Sequence, residues 1–336
     1  MELKRQILTS EILHPAHGYE RHQGRVEVRW DPLTGYAARL VQSGAPLLPP
    51  SDFDLAAYAA QTQSSCFFCA PRVEEVTPKL PPEVYPEGRI RRGQALLFPN
   101  LMTYSQYSSV SIYSGDIHYL PLDRMTGRLV ADNLAVQVEF VKAVQRFDEE
   151  AVWASVNANH MLPSGSSIFH PHVQSSVDPV PSTMQRLLSE LAPGQFDDYV
   201  ATEKRLGERY LGSTGSVEWL ASFAPQGFNE VRGFLPGVAS PGEFAQEQVE
   251  ELGEGISRVL NVYADLGFQS FNMALLGAPP GTAGYLLSVR LVCRANLQPL
   301  YRSDVTYFER LHWQAMVDGS PEELAERARE RFASGG

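Results

Sequence analysis

No stretch of this 336-residue sequence approaches the roughly 18 uninterrupted apolar residues that a membrane-spanning helix needs, and Met1 to Ser10 holds no apolar run before a small-residue cleavage site. A soluble protein that stays in the cytoplasm, with no membrane partner, is the expectation. Basic residues are also in short supply. Lys and Arg total 28 against 39 Asp and Glu, a formal net charge of −11. A chain this acidic lacks the positive field that non-specific nucleic-acid binding uses, so any anionic ligand must be held locally by a few placed donors. Cysteine is scarce and odd in number, three in all, which does not make a disulfide framework and fits a reducing compartment. The 26 Gly and 24 Pro are scattered rather than clustered, and 43% of residues are hydrophobic, a globular composition that excludes disorder and collagen-like structure.

Single cores seldom grow beyond roughly 250 to 300 residues, so the length predicts two domains or one duplicated fold. Val26 to Trp30 and Tyr36 to Val41 flank Asp31-Pro-Leu-Thr-Gly35, whose Pro and Gly suit a hairpin turn. The Pro-rich stretch from Thr77 to Gly88 reads as loop, followed by strands at Ala95 to Phe98 and Ser108 to Tyr113. Between Asp132 and Phe147, Leu134, Val138, Val141 and Val144 mark one face of a helix, and Val152 to Asn157 is strand-like. Ser240-Pro-Gly-Glu243 has the form of a capping box opening a long helix with Leu252, Ile256, Val259 and Tyr263 on one face. Ser320-Pro-Glu-Glu323 repeats that signal for a closing helix to about Phe332. Strands, helix and strand thus recur, with Ser155-Val-Asn157 echoed by Ser270-Phe-Asn272, which predicts a duplicated α+β unit.

The segment Asn159-His-Met-Leu-Pro-Ser-Gly-Ser-Ser-Ile-Phe-His170-Pro-His172-Val-Gln174 joins a Gly/Ser turn to a polar strand. In an extended chain His170, His172, Gln174 and Ser176 share one face, while Val173 and Val177 take the other. Imidazole keeps a large neutral, nucleophilic fraction near pH 7, so it can attack phosphorus and split one displacement into two easier ones. The amide of Gln174 can stabilise a phosphoryl oxygen without bringing a proton for hydrolysis. The competing reading is two polar residues on an exposed edge strand.

Cys66-Phe-Phe-Cys69 has the spacing that lets two thiolates reach one tetrahedral metal. With no second such pair, the remaining ligands would be histidines, His118 after the polar turn at Ser114 and His170 being the best placed. A redox pair and two buried thiols are the alternatives. Cys293 reads as an inert core thiol. Arg89, Arg91 and Arg92 form a small basic cluster that either pairs with phosphate or is solvated surface, and His160 and His312, without partner motifs, read as structural. The Phe98-Pro-Asn100 turn offers an amide near a ribose or is simply a strand end.

Taken in order, Asp31-Pro-Leu-Thr-Gly35, Cys66-x-x-Cys69, Phe98-Pro-Asn100, His118 after a Gly-Asp turn, Asn159 leading into His170-Pro-His172-Val-Gln174, Gly277-Ala-Pro279 and Tyr301-Arg-Ser303 resemble the galactose-1-phosphate uridylyltransferases, the transferase branch of the histidine-triad superfamily. The resemblance runs from about Val26 to Arg331, as a divergent member. It implies an α+β fold of two related histidine-triad-like halves, each an antiparallel sheet with packed helices, residues 1–192 carrying the metal and the nucleophile and residues 193–336 forming the second half. It further implies His172 as nucleophile, Gln174 as its supporting amide, Cys66, Cys69, His118 and His170 as ligands of a structural zinc, Asn159 with Ser166 or Ser167 against phosphate, and Asn100 against the nucleoside.

The activity so implied is ping-pong transfer of a nucleoside monophosphate, UMP, between a nucleotide sugar and a sugar 1-phosphate, in a homodimer. Related phosphorylases move AMP by the same step. The sequence departs from the family at Ser288-Val-Arg290, where a second His-x-His metal strand is usual, in the uncharged run from Val41 to Pro50 where basic residues are usual, and after Ser303. Rival readings are a catalytically silent nucleotide- or partner-binding relative, and a nucleotide hydrolase, which is disfavoured because Gln174 stands where hydrolytic relatives place a third His.

Overall fold

The computed structural model describes residues 1–41, 46–300 and 302–333. Tyr301 of the Tyr301-Arg-Ser303 motif and positions 42–45 of the uncharged run lie outside the described residues. The predicted hairpin forms between β2 (Glu20–Trp30) and β3 (Ala37–Val41), with Trp30 opposite Ala37. Its turn is closed by the Asp31 carboxylate, which accepts the N–H groups of Leu33 and Thr34 at 2.8 and 2.9 Å, and by Gly35 at φ 74°, a conformation that suits glycine. β2 also pairs with β1 (Arg5–His14), a strand the sequence did not announce because its apolar residues have no core to face.

After α1 (Leu55–Thr62) and α2 (Arg72–Val76) come β4 (Ile90–Arg92), β5 (Ala95–Pro99) and β6 (Tyr107–Ile112), then α3 (Gly127–Phe147), β7 (Trp153–His160) and β8 (His172–Asp178). Two helices, α4 (Thr183–Ser189) and α5 (Gln195–Leu206), lead to a second series: β9 (Tyr210–Thr214), β10 (Val217–Ala221), β11 (Phe228–Leu235), α6 (Gln246–Asp265), β12 (Phe271–Leu276) and β13 (Leu287–Cys293). All ten strands form one antiparallel sheet in the order β4-β5-β6-β8-β7-β12-β13-β11-β10-β9. Counted inward from either edge, each series runs first, second, third, fifth, fourth, with its long helix between the third and fourth strands. The predicted duplication is therefore realised as one continuous sheet whose halves meet at the β7–β12 pair, where Asn159 lies opposite Asn272. The chain ends with α7 (Tyr307–Leu311), β14 (Ala315–Val317), which pairs in parallel with β3, and α8 (Pro321–Ala333).

Register also places the departure at residues 288–290. Gln174 is opposite Asn157 and Val292 is opposite Asn272. If Asn157 and Asn272 are equivalents, Arg290 occupies the place of His172 and Ser288 that of His170.

One face of the large sheet packs on α3, α6 and α8 through Val156, Val173, Trp219, Leu252, Ile256 and Leu324. Glycines let α6 come close: a Cβ on Gly253 would lie 2.8 Å from the Ala131 Cβ and backbone N, and one on Gly255 would lie 2.1 Å from the Trp219 ring. α6 does not start where its capping signal stands. Ser240 and Glu243 do form a capping box, with the Glu243 carboxylate accepting the Ser240 N–H at 2.9 Å, but it closes a single turn over Pro241–Glu243. The chain is extended at Phe244 and Ala245 before the helix proper. α3 begins a turn earlier than its apolar spacing indicates, because Thr126 caps the N–H of Leu129. No helix among the described residues is long and apolar enough to cross a membrane.

The other face carries two apolar patches. Phe98, Val110 and Ile112 meet Cys66, Phe68 and Val73 toward one edge. Leu220, Phe234 and Leu276 meet Leu188, Phe196 and Tyr199 toward the other. Between them the central strands present half-buried polar side chains: Gln174 and Ser176 on β8, Asn157 and Asn159 on β7, Asn272 on β12 and Arg290 on β13.

Candidate metal centre and active site

Cys66 and Cys69 lie between α1 and α2, His118 in the loop after β6, and His170 in the turn entering β8. All four are buried, and their ligand atoms lie within 4.8 Å of one another. His170 Nδ1 is 3.7 Å from Cys66 Sγ and 3.5 Å from Cys69 Sγ, and His118 Nδ1 is 3.3 Å from Cys69 Sγ. A tetrahedral ion with arms of about 2.3 Å to sulfur and 2.0–2.1 Å to nitrogen has sulfur–nitrogen edges of about 3.6 Å, so the donor set fits a closed four-ligand metal site.

The second ring nitrogens strengthen the fit. His170 Nε2 donates to the Ser114 carbonyl at 2.9 Å. His118 Nε2 donates at 3.0 Å to the Thr62 hydroxyl, whose own hydrogen goes to the Tyr58 carbonyl at 3.1 Å. Both rings are thereby held in the tautomer whose Nδ1 lone pair faces the sulfurs. Burial holds the His170 imidazole down to about 4 and also lowers His118, keeping both neutral. Burial, then the neighbouring Cys66, push the Cys69 thiol up to about 12. A thiol so placed is a poor redox nucleophile, which requires a stabilised thiolate, while a divalent cation at this spot would offset the cost of both thiolates.

The strand begins only at His172, so His170 does not join the polar face; its ring turns onto the cysteines instead. Phe68, set between the two cysteines, packs edge-on against both His170 and His172, with ring centroids 6.0 and 5.5 Å away. His172 Nδ1 donates to the His170 carbonyl at 2.8 Å, which leaves the Nε2 lone pair as the ring's second functional atom. The residue is 8% exposed, and burial lowers its tendency to protonate despite that backbone bond. Its Nε2 is not among the polar atoms sealed without a partner, whereas Nε2 of His160 is. Val173 and Val177 point into the core, as the alternation predicts, and Gln174 makes no side-chain hydrogen bond among the described residues. The arrangement presents a neutral, tautomerically fixed imidazole and an uncommitted amide on one polar strip.

Other predicted residues are less available. The Ser166 hydroxyl donates to the Ile168 carbonyl at 2.6 Å, so of the serine pair it is the exposed Ser167 whose hydroxyl is uncommitted. Asn100 is tied into its own loop, its Nδ2 donating to the Tyr104 hydroxyl at 3.0 Å and its Oδ1 accepting the Met102 N–H at 3.0 Å. Arg89 and Arg91 pair with Glu74 at 3.0 and 2.5 Å, and Arg92 lies 3.9 Å from Asp132, so that cluster is structural. Cys293 is fully buried, its thiol pushed well up by burial. His312 packs on Tyr307 and Phe308. Arg290 pairs with Glu230 at 2.6 Å, so a guanidinium occupies the second-half counterpart of the His172 position.

Sequence reading missed Thr62 and the Ser114 carbonyl as partners of the clustered rings, and it did not single out Asn272, which lies opposite Asn159. Thr62 and Ser114 act only on ring nitrogens that the fold brings to them, and a lone Thr or a backbone carbonyl carries no motif. Asn272 had a signal, its echo of Asn157.

No family model matches the chain. An uncharacterised protein of Archaeoglobus fulgidus is 31% identical over 338 residues, covering 98% of this chain and 98% of that protein. Among solved structures, an ADP-glucose phosphorylase of Arabidopsis thaliana with bound ADP-glucose aligns with a TM-score of 0.65 at 17% identity, covering 91% of this chain and 99% of that one. A uridylyltransferase aligns with a TM-score of 0.57 at 17% identity, covering 92% and 99%. A GalT-like protein of Arabidopsis thaliana reaches 0.66 at 16% identity, covering 90% and 98%.

Proposed function

From the premise that this chain belongs to one family with the Archaeoglobus fulgidus protein and, by its fold, is a divergent member of the galactose-1-phosphate uridylyltransferase branch of the histidine-triad superfamily, we propose that it is a nucleotidyltransferase using His172 as covalent nucleophile. The single observation that carries this reading is the His172 ring itself. With Nδ1–H committed to the His170 carbonyl, its Nε2 keeps the lone pair, on a strand that sets Gln174 on the same face.

The donor is a nucleoside diphosphate sugar. His172 Nε2 forms a bond to the α-phosphorus as the P–O bond to the sugar phosphate breaks, and the electron pair leaves with that oxygen. Positive charge that develops on the ring is stabilised by the Nδ1–H donated to the His170 carbonyl, and Gln174 donates to a phosphoryl oxygen where negative charge grows. A phosphate oxygen of an incoming sugar 1-phosphate then forms its own bond to phosphorus while the N–P bond breaks, restoring neutral His172. Asn159 and Ser167 are assigned to the phosphate, and Asn100, once released from its loop bonds, to the nucleoside. Zinc is the metal proposed for Cys66, Cys69, His118 and His170, where it would supply rigidity to the turn that aims His172 rather than chemistry.

UMP is the group proposed to move, with galactose-type sugar phosphates as partners. A second reading, transfer of AMP, is favoured by the likeness in fold to the protein with bound ADP-glucose. A homodimer completes the proposal, and the β1–β2 hairpin, with Ile7, Ile12 and Leu13 exposed by 50, 51 and 61%, is apolar surface that a second copy would cover.

The test is incubation with radiolabelled UDP-glucose or ADP-glucose and no acceptor. An acid-labile, base-stable adduct should form on the wild type and be missing from His172→Asn, and which nucleotide labels the protein identifies the base. A folded, metal-loaded wild type that takes label from neither donor would sink the transferase reading.

A further inference from the structure

Asn159 and Asn272 face each other across the pair of strands that joins the two halves. Their amides belong to a chain of hydrogen bonds that begins in the second half. The Asp304 carboxylate, 1% exposed, accepts Nε and Nη2 of Arg294 at 2.7 and 2.5 Å and the Ala295 N–H at 2.9 Å. Arg294 Nη1 donates to Asn272 Oδ1 at 2.6 Å. Asn272 Nδ2 donates to the Ser164 carbonyl at 3.0 Å and to Asn159 Oδ1 at 2.5 Å.

The direction of this chain is set by chemistry. A guanidinium only donates and a carbonyl only accepts, so Asn272 must turn its oxygen to Arg294 and its NH2 group to Ser164 and Asn159. Asn159 must then answer with its oxygen. Its own NH2 group is left without a partner among the described residues, on the same sheet face as His172 and Gln174. Continuing the register of Asn157 opposite Gln174 by two residues puts Asn159 beside His172.

We propose that Asn272, a positioning residue supplied by the second half, fixes Asn159 as a hydrogen-bond donor toward the phosphoryl group presented to His172. The proposal rests on the function given above. Without the relay an asparagine at position 159 can present either end, and its oxygen would repel a phosphate. The relay gives the second half a part in the site although Arg290 replaces the counterpart of the nucleophile.

Asn272→Asp tests it. The new carboxylate still accepts from Arg294 but has no hydrogen to give, so Asn159 should turn its NH2 group inward and its oxygen toward the ligand. The dissociation constant of UDP or ADP, measured by calorimetry on the full-length protein, should rise about tenfold or more, as in Asn159→Ala, from loss of one hydrogen bond to a charged group. In the Asn159→Ala background the same substitution should add less than about twofold, because the relay acts only through that amide. An additive effect there would mean that the new charge acts directly on the ligand and would overturn the relay, as would unchanged affinity in folded Asn272→Asp. Should that variant fail to fold, Asn272→Leu removes the same donor without adding charge and takes its place in the cycle. A wild type that binds nucleotide in this relay-dependent way yet forms no adduct overturns the transferase reading and leaves the relay standing. One that binds neither nucleotide overturns both.

Discussion

His118 can serve as a ligand only because Thr62 orients its ring. The hydroxyl of Thr62 donates to the Tyr58 carbonyl and so can only accept from His118 Nε2, which sends the Nδ1 lone pair toward Cys69. Thr62→Val should therefore weaken metal binding by about 10- to 100-fold while leaving all four ligands in place, a loss read by competition with a chromophoric chelator. Cys66→Ser removes a ligand outright. It should lower bound zinc from about one per chain toward zero and lower the melting temperature as well, because a closed site couples metal binding to folding. A wild type that is free of metal and fully stable would refute the assignment. His172 is not one of the four clustered residues, so the two sites separate experimentally through the metal content of His172→Asn, which should stay at the wild-type level.

The long helices show how a signal can be correct and misplaced. The box at Ser240 and Glu243 forms as written, yet the helix waits until Gln246 because Phe244 is drawn into the core and leaves the chain extended behind it. In α6 two glycines, each costing about 1 kcal/mol in helix propensity, are explained only by what lies opposite them. Gly253 touches the α3 backbone at Ala131, and Gly255 lies against the Trp219 ring. Gly253→Val should accordingly cost about 3 kcal/mol in a urea titration, the upper end for overpacking, since backbone cannot yield as a side chain can. Thr126→Ala should cost only about 1 kcal/mol, the usual value of a lost helix cap.

Across the whole molecule, a buried ion chain ties the hairpin turn to the large sheet. Asp31 pairs with Arg232, and Glu230 joins Arg232 at 3.3 Å to Arg290 at 2.6 Å. Burial alone would raise the Glu230 carboxyl above its ordinary 4.5, but Arg290 and Arg232 outweigh it and hold the group down to about 2. A depressed carboxyl contributes stability that is complete above the unfolded value and fades as pH falls through the folded one, here between 4.5 and about 2. Glu230→Gln should be less stable than wild type by about 3 kcal/mol at pH 7, with the difference shrinking toward pH 2. A gap that does not change with pH would show that Glu230 acts by packing rather than by charge.

What the chain determined by itself is what depends on neighbours in sequence: the turn at Asp31 to Gly35, the alternation that buries Val173 and Val177, the start signal at Ser320, and the Cys-x-x-Cys spacing. The four residues of the buried Cys/His cluster, and the histidine proposed as nucleophile, carried a readable signal too, because the resemblance rested on short ordered motifs. Tertiary structure decided which donors remain unspent. It tied Asn100 and the Ser166 hydroxyl into their own turns, put Arg89 and Arg91 on Glu74, and merged two expected sheets into one so that Asn272 could reach Asn159. A polar group has a fixed number of hydrogens and lone pairs, and whether a ligand finds them free depends on neighbours that only folding brings within 3 Å.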